Sequence, residues 1–209
     1  MAEPVARSSI RPTPPVKIEH GWEVNDHHSH ANLTVTDCTP LSKVLVRAPQ
    51  DGPVARALGV NLGGAVRDEH GTLVVGSGPG EWTLIGAPGS APDVIERIEA
   101  ISGDEFASVL EVTHGRALIR VSGAQSPDLL SKVCAINLSE EFTPNGAAFR
   151  SSVAKVVTDV VRDDKDGNRS YLLHSERSYG QYLFDALLDA GHEFGIETSG
   201  FRIDDARSS

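Results

Sequence analysis

The sequence predicts an α+β fold built from two similar strand-helix-hairpin-helix halves with mixed or antiparallel sheets, and three observations carry that expectation. Strand-like runs arrive in pairs split by glycine-containing turns, as in AVRDEHGTLVV. Two long segments of helical periodicity, SAPDVIERIEAI and SYGQYLFDALLDAGHEFG, each follow such a group of strands. The order of elements in the first half also returns in the second. A chain of 209 residues is long enough for one substantial core, given a soft prior of about 150 residues per domain.

Taken in order, residues 1–40 hold Pro4, Pro12, Pro14, Pro15 and Pro40 with no sustained apolar period, which predicts a Pro-rich arm with little core of its own. Residues 41–200 form the predicted α+β domain, and 201–209 a polar tail. KVLVRA reads as a strand, PVARALG as a short helix, AVRDEHGTLVV as a hairpin and EWTLIG as a further strand. SAPDVIERIEAI places Val94, Ile95, Ile98 and Ile101 at helical spacing. In the second half RALIRVSG is a strand. SPDLLSKVCAI is a helix with Ser126 as N-cap, Pro127 in its first turn and Cys134 on its apolar face. SSVAKVVTDVVRD and RSYLLHS are strands joined by DDKDGN, whose Asp166-Gly167 pair is a turn signal. The last helix presents Tyr182, Leu183, Ala186, Leu187 and Ala190 on one side and ends at Gly191.

Charge and cysteine usage exclude several function classes. A net charge of −10 argues against nucleic acid as the main partner, because that binding is driven by Lys and Arg displacing counterions. Cys38 and Cys134 are far apart and lack CxxC spacing, which predicts reduced thiols in a cytoplasmic protein. No apolar h-region opens the chain and no run approaches the roughly 18 apolar residues of a membrane helix, so neither export nor a membrane is expected.

The glycine-rich stretch GSGPGEWTLIG at 76–86 invites comparison with a phosphate loop. A P-loop needs a lysine after its last glycine, and Glu81-Trp82 stands there instead. A dinucleotide fingerprint opens a helix, whereas EWTLIG reads as a strand, so the expected role is a tight turn. The DHHSH cluster, Asp26, His27, His28 and His30, has metal-ligand residue types but no rigid element to fix a tetrahedron, and is read as solvated. The chain has no GxSxG elbow. The carboxylate pairs Asp163-Asp164, Asp204-Asp205 and Glu140-Glu141 are read as solvated charge. Asp159 is an acid inside an otherwise apolar strand, either a site carboxylate or the polar face of an alternating strand.

Four segments in order, DCTPLSKVLVRAP (37–49), GSGPGEWTLIG (76–86), VTHGRALIRVSGAQSPDLLSKVCAINL (112–138) and YLLHSERSYGQYLFDALLDAGHEFG (171–195), resemble the gamma subunit of heterotetrameric sarcosine oxidase. That family is similar to the folate-binding region of the glycine-cleavage T-protein, an aminomethyltransferase, and the likeness shows in HGRALIRVSG followed by SPDLLSKV. The resemblance implies a T-protein folate-binding-domain-like fold and membership of a complex that demethylates sarcosine to glycine, passing the one-carbon unit to tetrahydrofolate. It also implies alpha, beta and delta partner subunits that hold FAD, FMN, NAD, zinc and tetrahydrofolate, with no cofactor, metal or catalytic residue on this chain. The alternative is an active folate-dependent aminomethyl or methyl transferase with Asp159 at its site. Against it, the glycine-rich pattern around the T-protein acid is replaced here by RSSVAKVVTDVV.

Overall fold

A computed structural model describes residues 4–165 and 167–202. The chain opens with three short strands, β1 (Ala6–Arg7), β2 (Val16–Glu19) and β3 (Trp22–Asn25), in a small sheet of order β1-β3-β2. Strand β4 (Leu33–Asp37) then enters the main body. The first half follows as β5 (Ser42–Arg47), α1 (Pro53–Leu58), β6 (Ala65–Arg67), β7 (Leu73–Gly78), β8 (Glu81–Gly86) and α2 (Ala91–Ser102). After β9 (Ser108–Glu111), the second half runs β10 (Arg116–Gly123), α3 (Ser126–Ser131), β11 (Ala148–Val153), β12 (Val156–Arg162), β13 (Ser170–Glu176) and α4 (Gly180–Gly191), closed by β14 (Glu197–Ser199). Each half is therefore a strand, a helix, a three-stranded meander and a helix. The order β6-β7-β8-β5 in a five-stranded sheet repeats as β11-β12-β13-β10 in a six-stranded one.

The apolar faces explain the layers. Leu129, Leu130, Leu183 and Leu187 of α3 and α4 pack on Val35, Ile119, Val121 and Leu173 of the six-stranded sheet. Val54 of α1 and Val94 and Ile98 of α2 cover Val44, Val46, Trp82 and Leu84 of the five-stranded sheet. Between the two sheets lies a third core, where Leu73, Val75 and Ile85 meet Leu118, Val161 and Leu172. Helices thus cover the two outer faces, and the sheets pack on each other through their inner faces.

The halves are interlocked. Strand β4 precedes the first half in sequence but pairs with β10 of the second, while β9 precedes the second half and pairs with β5 of the first. The two crossings match in their hydrogen bonds. After β4, Cys38 N donates to Leu118 O at 2.8 Å and Thr39 Oγ1 accepts from Leu118 N at 3.2 Å. After β9, Val112 N donates to Lys43 O at 2.8 Å and Thr113 Oγ1 accepts from Lys43 N at 3.0 Å. The sequence carries the same pattern, Asp37-Cys38-Thr39 against Glu111-Val112-Thr113.

Several local expectations change. The 1–40 stretch carries core of its own: Ile10, Trp22, Val24, Leu33, Val35 and Cys38 are all buried, because β3 and β4 lay alternate side chains against the body. SSVAKVV is two strands rather than one, folded back at Ala154 and Lys155, which take φ of 48° and 69°. Ser126 lies inside α3, with Gln125 at its N-cap and no side-chain cap. On α4 the buried aromatic is Phe184, while Tyr182 is exposed, and Gly191 is still helical, with the left-handed stop at Gly195. GSGPG is the expected turn: Gly80 takes φ of 68°, and a side chain at Gly76 would meet Asn61 O at 2.1 Å. Asp166, Asp204 and Asp205 lie outside the described residues, as does the tail beyond Arg202.

Candidate functional site

The residue that stood out in the sequence, Asp159, sits mid-strand in β12 and is flanked through strand register. It pairs with Arg150 of β11 on one side and His174 of β13 on the other, so three side chains form a row across three strands. Arg150 grips the carboxylate with both ends of its guanidinium, Nε to Oδ1 at 2.6 Å and Nη2 to Oδ2 at 3.2 Å. His174 Nδ1 lies 3.5 Å from Oδ2. Burial pushes the Asp159 carboxyl up, but the hydrogen bonds and charges of His174 and Arg150 outweigh it and hold it down at about 2. For His174 burial dominates over Asp159 and pushes the imidazole down, so it is neutral at pH 7. Its side chain is 8% exposed, and Nε2 has no hydrogen-bond partner among the described residues.

This row lines a cavity of about 110 Å³ between the two sheets. The opposite wall is apolar or hydroxylic: Val75, Gly76 and Ile85, with Ser77 and Thr83 bonded to each other at 2.8 Å. The glycine-rich stretch therefore borders the cavity, but its backbone is committed to the ladder and to the Asn61–Gly64 turn. A cavity of about 150 Å³ is what an apolar core needs to hold a benzene. The space beside Asp159 is smaller than that, and its carboxylate is already engaged by Arg150. A folate-dependent transferase centred on Asp159 is not favoured by this geometry.

Other sequence candidates are dispersed. Among the described residues no three His, Cys, Asp or Glu side chains are grouped to hold a metal, and the DHHSH residues lie along a loop. Cys38 and Cys134 are buried thiols. Asp163 is not solvated as expected: it is nearly buried and its Oδ2 accepts from Arg67 at 2.8 Å and Arg120 at 2.6 Å. Asp164 and Glu140 share Arg162. Around the last helix, Tyr179 and Tyr182 are exposed and Phe184 is buried.

Buried ionisable groups also escaped the sequence reading, Lys43 above all. Lys43, the residue at the second crossing, is fully buried, with Nζ donating to Thr39 O at 2.8 Å and Leu41 O at 2.7 Å. Burial pushes its amine down to about 7, against the opposing pull of Asp37. Asp37 is itself pushed up by burial, offset by bonds from Thr39 and Ser8. The signal available in the sequence was a lysine inside KVLVRA, where strand alternation alone gives a polar, outward position.

Comparison with known proteins places these features. The sequence pattern of the GCVT N-terminal domain matches residues 46–207. The chain is 28% identical over 148 residues to sarcosine oxidase subunit gamma of Corynebacterium sp. (strain P-1), covering 69% of this chain and 70% of that one. It is 27% identical over 124 residues to human mitochondrial dimethylglycine dehydrogenase, of which it spans only 14%. Among solved structures, the heterotetrameric sarcosine oxidase from Corynebacterium sp. U-96 in complex with pyrrole 2-carboxylate superposes with a TM-score of 0.69 at 21% identity, covering 80% of this chain and 88% of that one. Aminomethyltransferase T of the glycine cleavage system from Bartonella henselae gives 0.69 at 14% identity, covering 88% of this chain and 55% of that one.

Proposed function

Because the pattern matches most of its length, the chain belongs to the GCVT N-terminal domain family, and we propose that it serves as the gamma subunit of a heterotetrameric sarcosine oxidase. The observation that carries this reading is the extent of the likeness: it spans 70% of the known gamma subunit, against 14% of the dehydrogenase. In this reading the chain is a non-catalytic assembly subunit of a cytoplasmic complex that demethylates sarcosine to glycine. Alpha, beta and delta subunits hold FAD, FMN, NAD, zinc and tetrahydrofolate, and this chain holds none of them. The closed Arg150-Asp159-His174 row supports that assignment, since it leaves no open carboxylate for one-carbon chemistry. No helix among the described residues is long and apolar enough to cross a membrane.

A packing subunit needs apolar surface to give to its partners. Leu62, Val66, Phe106, Phe142 and Val157 are each at least 59% exposed. The test is co-expression with the other three subunits and purification on a tag carried by this chain. All four bands are expected to co-elute with flavin colour, while the lone chain is colourless and prone to aggregate. A lone chain that stays monomeric and captures no partner overturns the proposal. Calorimetry with tetrahydrofolate is expected to give no heat on this chain, and an Asp159-dependent signal would instead favour the transferase alternative.

A further inference from the structure

The sheets of the main body end in outer strands, β6 and β9 in the five-stranded sheet and β11 and β14 in the six-stranded one. An outer strand shows a row of backbone donors and acceptors that another strand can join. All but β9 are met by neighbouring backbone. Strands β6 and β11 are tied to the turns that precede each other, Ala65 N donating to Gly146 O at 2.7 Å and Ala148 N to Gly63 O at 2.9 Å. Along β14 runs the 27–29 segment, with Gly200 N donating to His27 O at 2.6 Å and Ser29 N to Ser199 Oγ at 3.3 Å. Strand β9 pairs with β5 and has no backbone partner on its other side among the described residues.

The internal repeat marks what that edge lacks. By the matched crossings, Ser108, Val109 and Leu110 of β9 correspond to Thr34, Val35 and Thr36 of β4. In the second half those three residues carry a parallel strand, β14, with Thr198 opposite Val35. In the first half the sheet stops at β9. The backbone is aimed alike in both. Cys38 N bonds to Leu118 O and Val112 N to Lys43 O, so alternation turns the peptide groups of Val35 towards β14 and those of Val109 and Glu111 to the open side. Exposure differs accordingly: Thr36 is 7% exposed, whereas its counterpart Leu110 is 57% and nearby Phe106 75%. Asp104, Glu105 and Glu111 are exposed around this edge and have no ion pair among the described residues. Arg47, opposite Ser108, is held by Glu81 at 2.8 Å. A second copy is a poor occupant, because a twofold axis pairs β9 with β9 antiparallel and sets these acids against themselves.

We propose that β9 receives a strand from a neighbouring subunit: an extended segment parallel to it, with an apolar residue beside Leu110 and Lys or Arg at its ends facing Asp104, Glu105 and Glu111. The inference rests on the subunit reading for its partner. It is tested on the complex co-purified through a tag on this chain, with hydrogen exchange read residue by residue by fragmentation mass spectrometry. The amides of Val109 and Glu111 are expected to exchange at least about tenfold more slowly in the complex than in the diluted lone chain. That of Leu110, which faces β5, is expected to be equally protected in both. Val109→Pro removes only the outward donor, and Leu110→Lys sets a like charge against the basic strand. Each is expected to weaken capture of the partner about tenfold or more without altering the circular dichroism. Asp104→Lys/Glu105→Lys is expected to do the same, as is added salt on the wild type. A complex that forms while the Val109 and Glu111 amides stay open, or that tolerates all three variants, overturns this proposal and leaves the subunit reading standing. A wild-type chain that captures no subunit overturns both. Protection that grows with the concentration of the lone chain makes a second copy the occupant and likewise overturns the inference.

Discussion

The two halves share a strand order, a helix placement and a matched pair of crossings, yet they differ at the positions where chemistry would reside. At the crossings, the backbone of Leu118 in one half does what that of Lys43 does in the other, and the side chains are a buried leucine and a buried ammonium. Across the sheets, the register row Arg67-Leu73-Ile85 of the first half corresponds to Arg150-Asp159-His174 of the second, since Ile85 pairs with Lys43 as His174 pairs with Leu118. The hydrogen-bond frame is set by the backbone and tolerates either version. What distinguishes the halves is which one carries desolvated charge, and a charge taken out of water persists only where partners exist for it.

Exchanging the crossing residues breaks the comparison most severely. Leu118→Lys places an ammonium among Trp22, Val161 and Leu172 without the carbonyls that hold Lys43. It is expected to lower stability in urea by more than about 4 kcal/mol, a large share of a typical total. Next comes Lys43→Met. With a folded value of about 7 and an ordinary value of 10.5, the unfolded chain holds a proton that the native one lacks across that window. Stability therefore rises with pH between about 7 and 10, by up to about 1.4 kcal/mol per pH unit for one proton. Guanidinium melts along that range are expected to show the rise in the wild type and a flatter profile in the variant.

Thr39→Val and Thr113→Val sharpen the symmetry itself. Each leaves one buried amide, of Leu118 or Lys43, without its acceptor, at a cost of about 1 to 3 kcal/mol. Equal losses in thermal melts support equivalent crossings, and a loss at one site alone breaks the equivalence. The smallest effect is expected at His174. Its pKa is pushed down by burial, so as pH falls below 6.5 the unfolded chain takes up a proton that the native one resists, and stability falls. His174→Gln removes that dependence, visible as a smaller drop in melting temperature from pH 7 to 5.5.

Much of this was readable from local pattern. The hairpins, the helices at 91–102 and 180–191 and the Gly-Pro turn before Trp82 all follow from periodicity and turn residues. The β11–β12 hairpin was not, because Ala154 and Lys155 occupy left-handed backbone without the Asn-Gly that usually announces it. The buried 1–40 strands were missed for a different reason: Trp22 and Val24 are held by tertiary contact with the inter-sheet core, which no local period encodes. Asp159 was visible as an oddity, but its meaning depends on Arg150 and His174, which only strand register brings beside it.

The exchanged strands carry a consequence for biogenesis. Strand β4 pairs only with β10 and β14, both of which leave the ribosome after the whole first half. Until then a run of Leu33, Val35 and open backbone donors has no edge to join, which is the kind of segment that nascent-chain chaperones shield. A translation pause placed before β10 would prolong that exposure. One placed after it would not, so synonymous codon changes on either side of residue 116 should affect yield unequally.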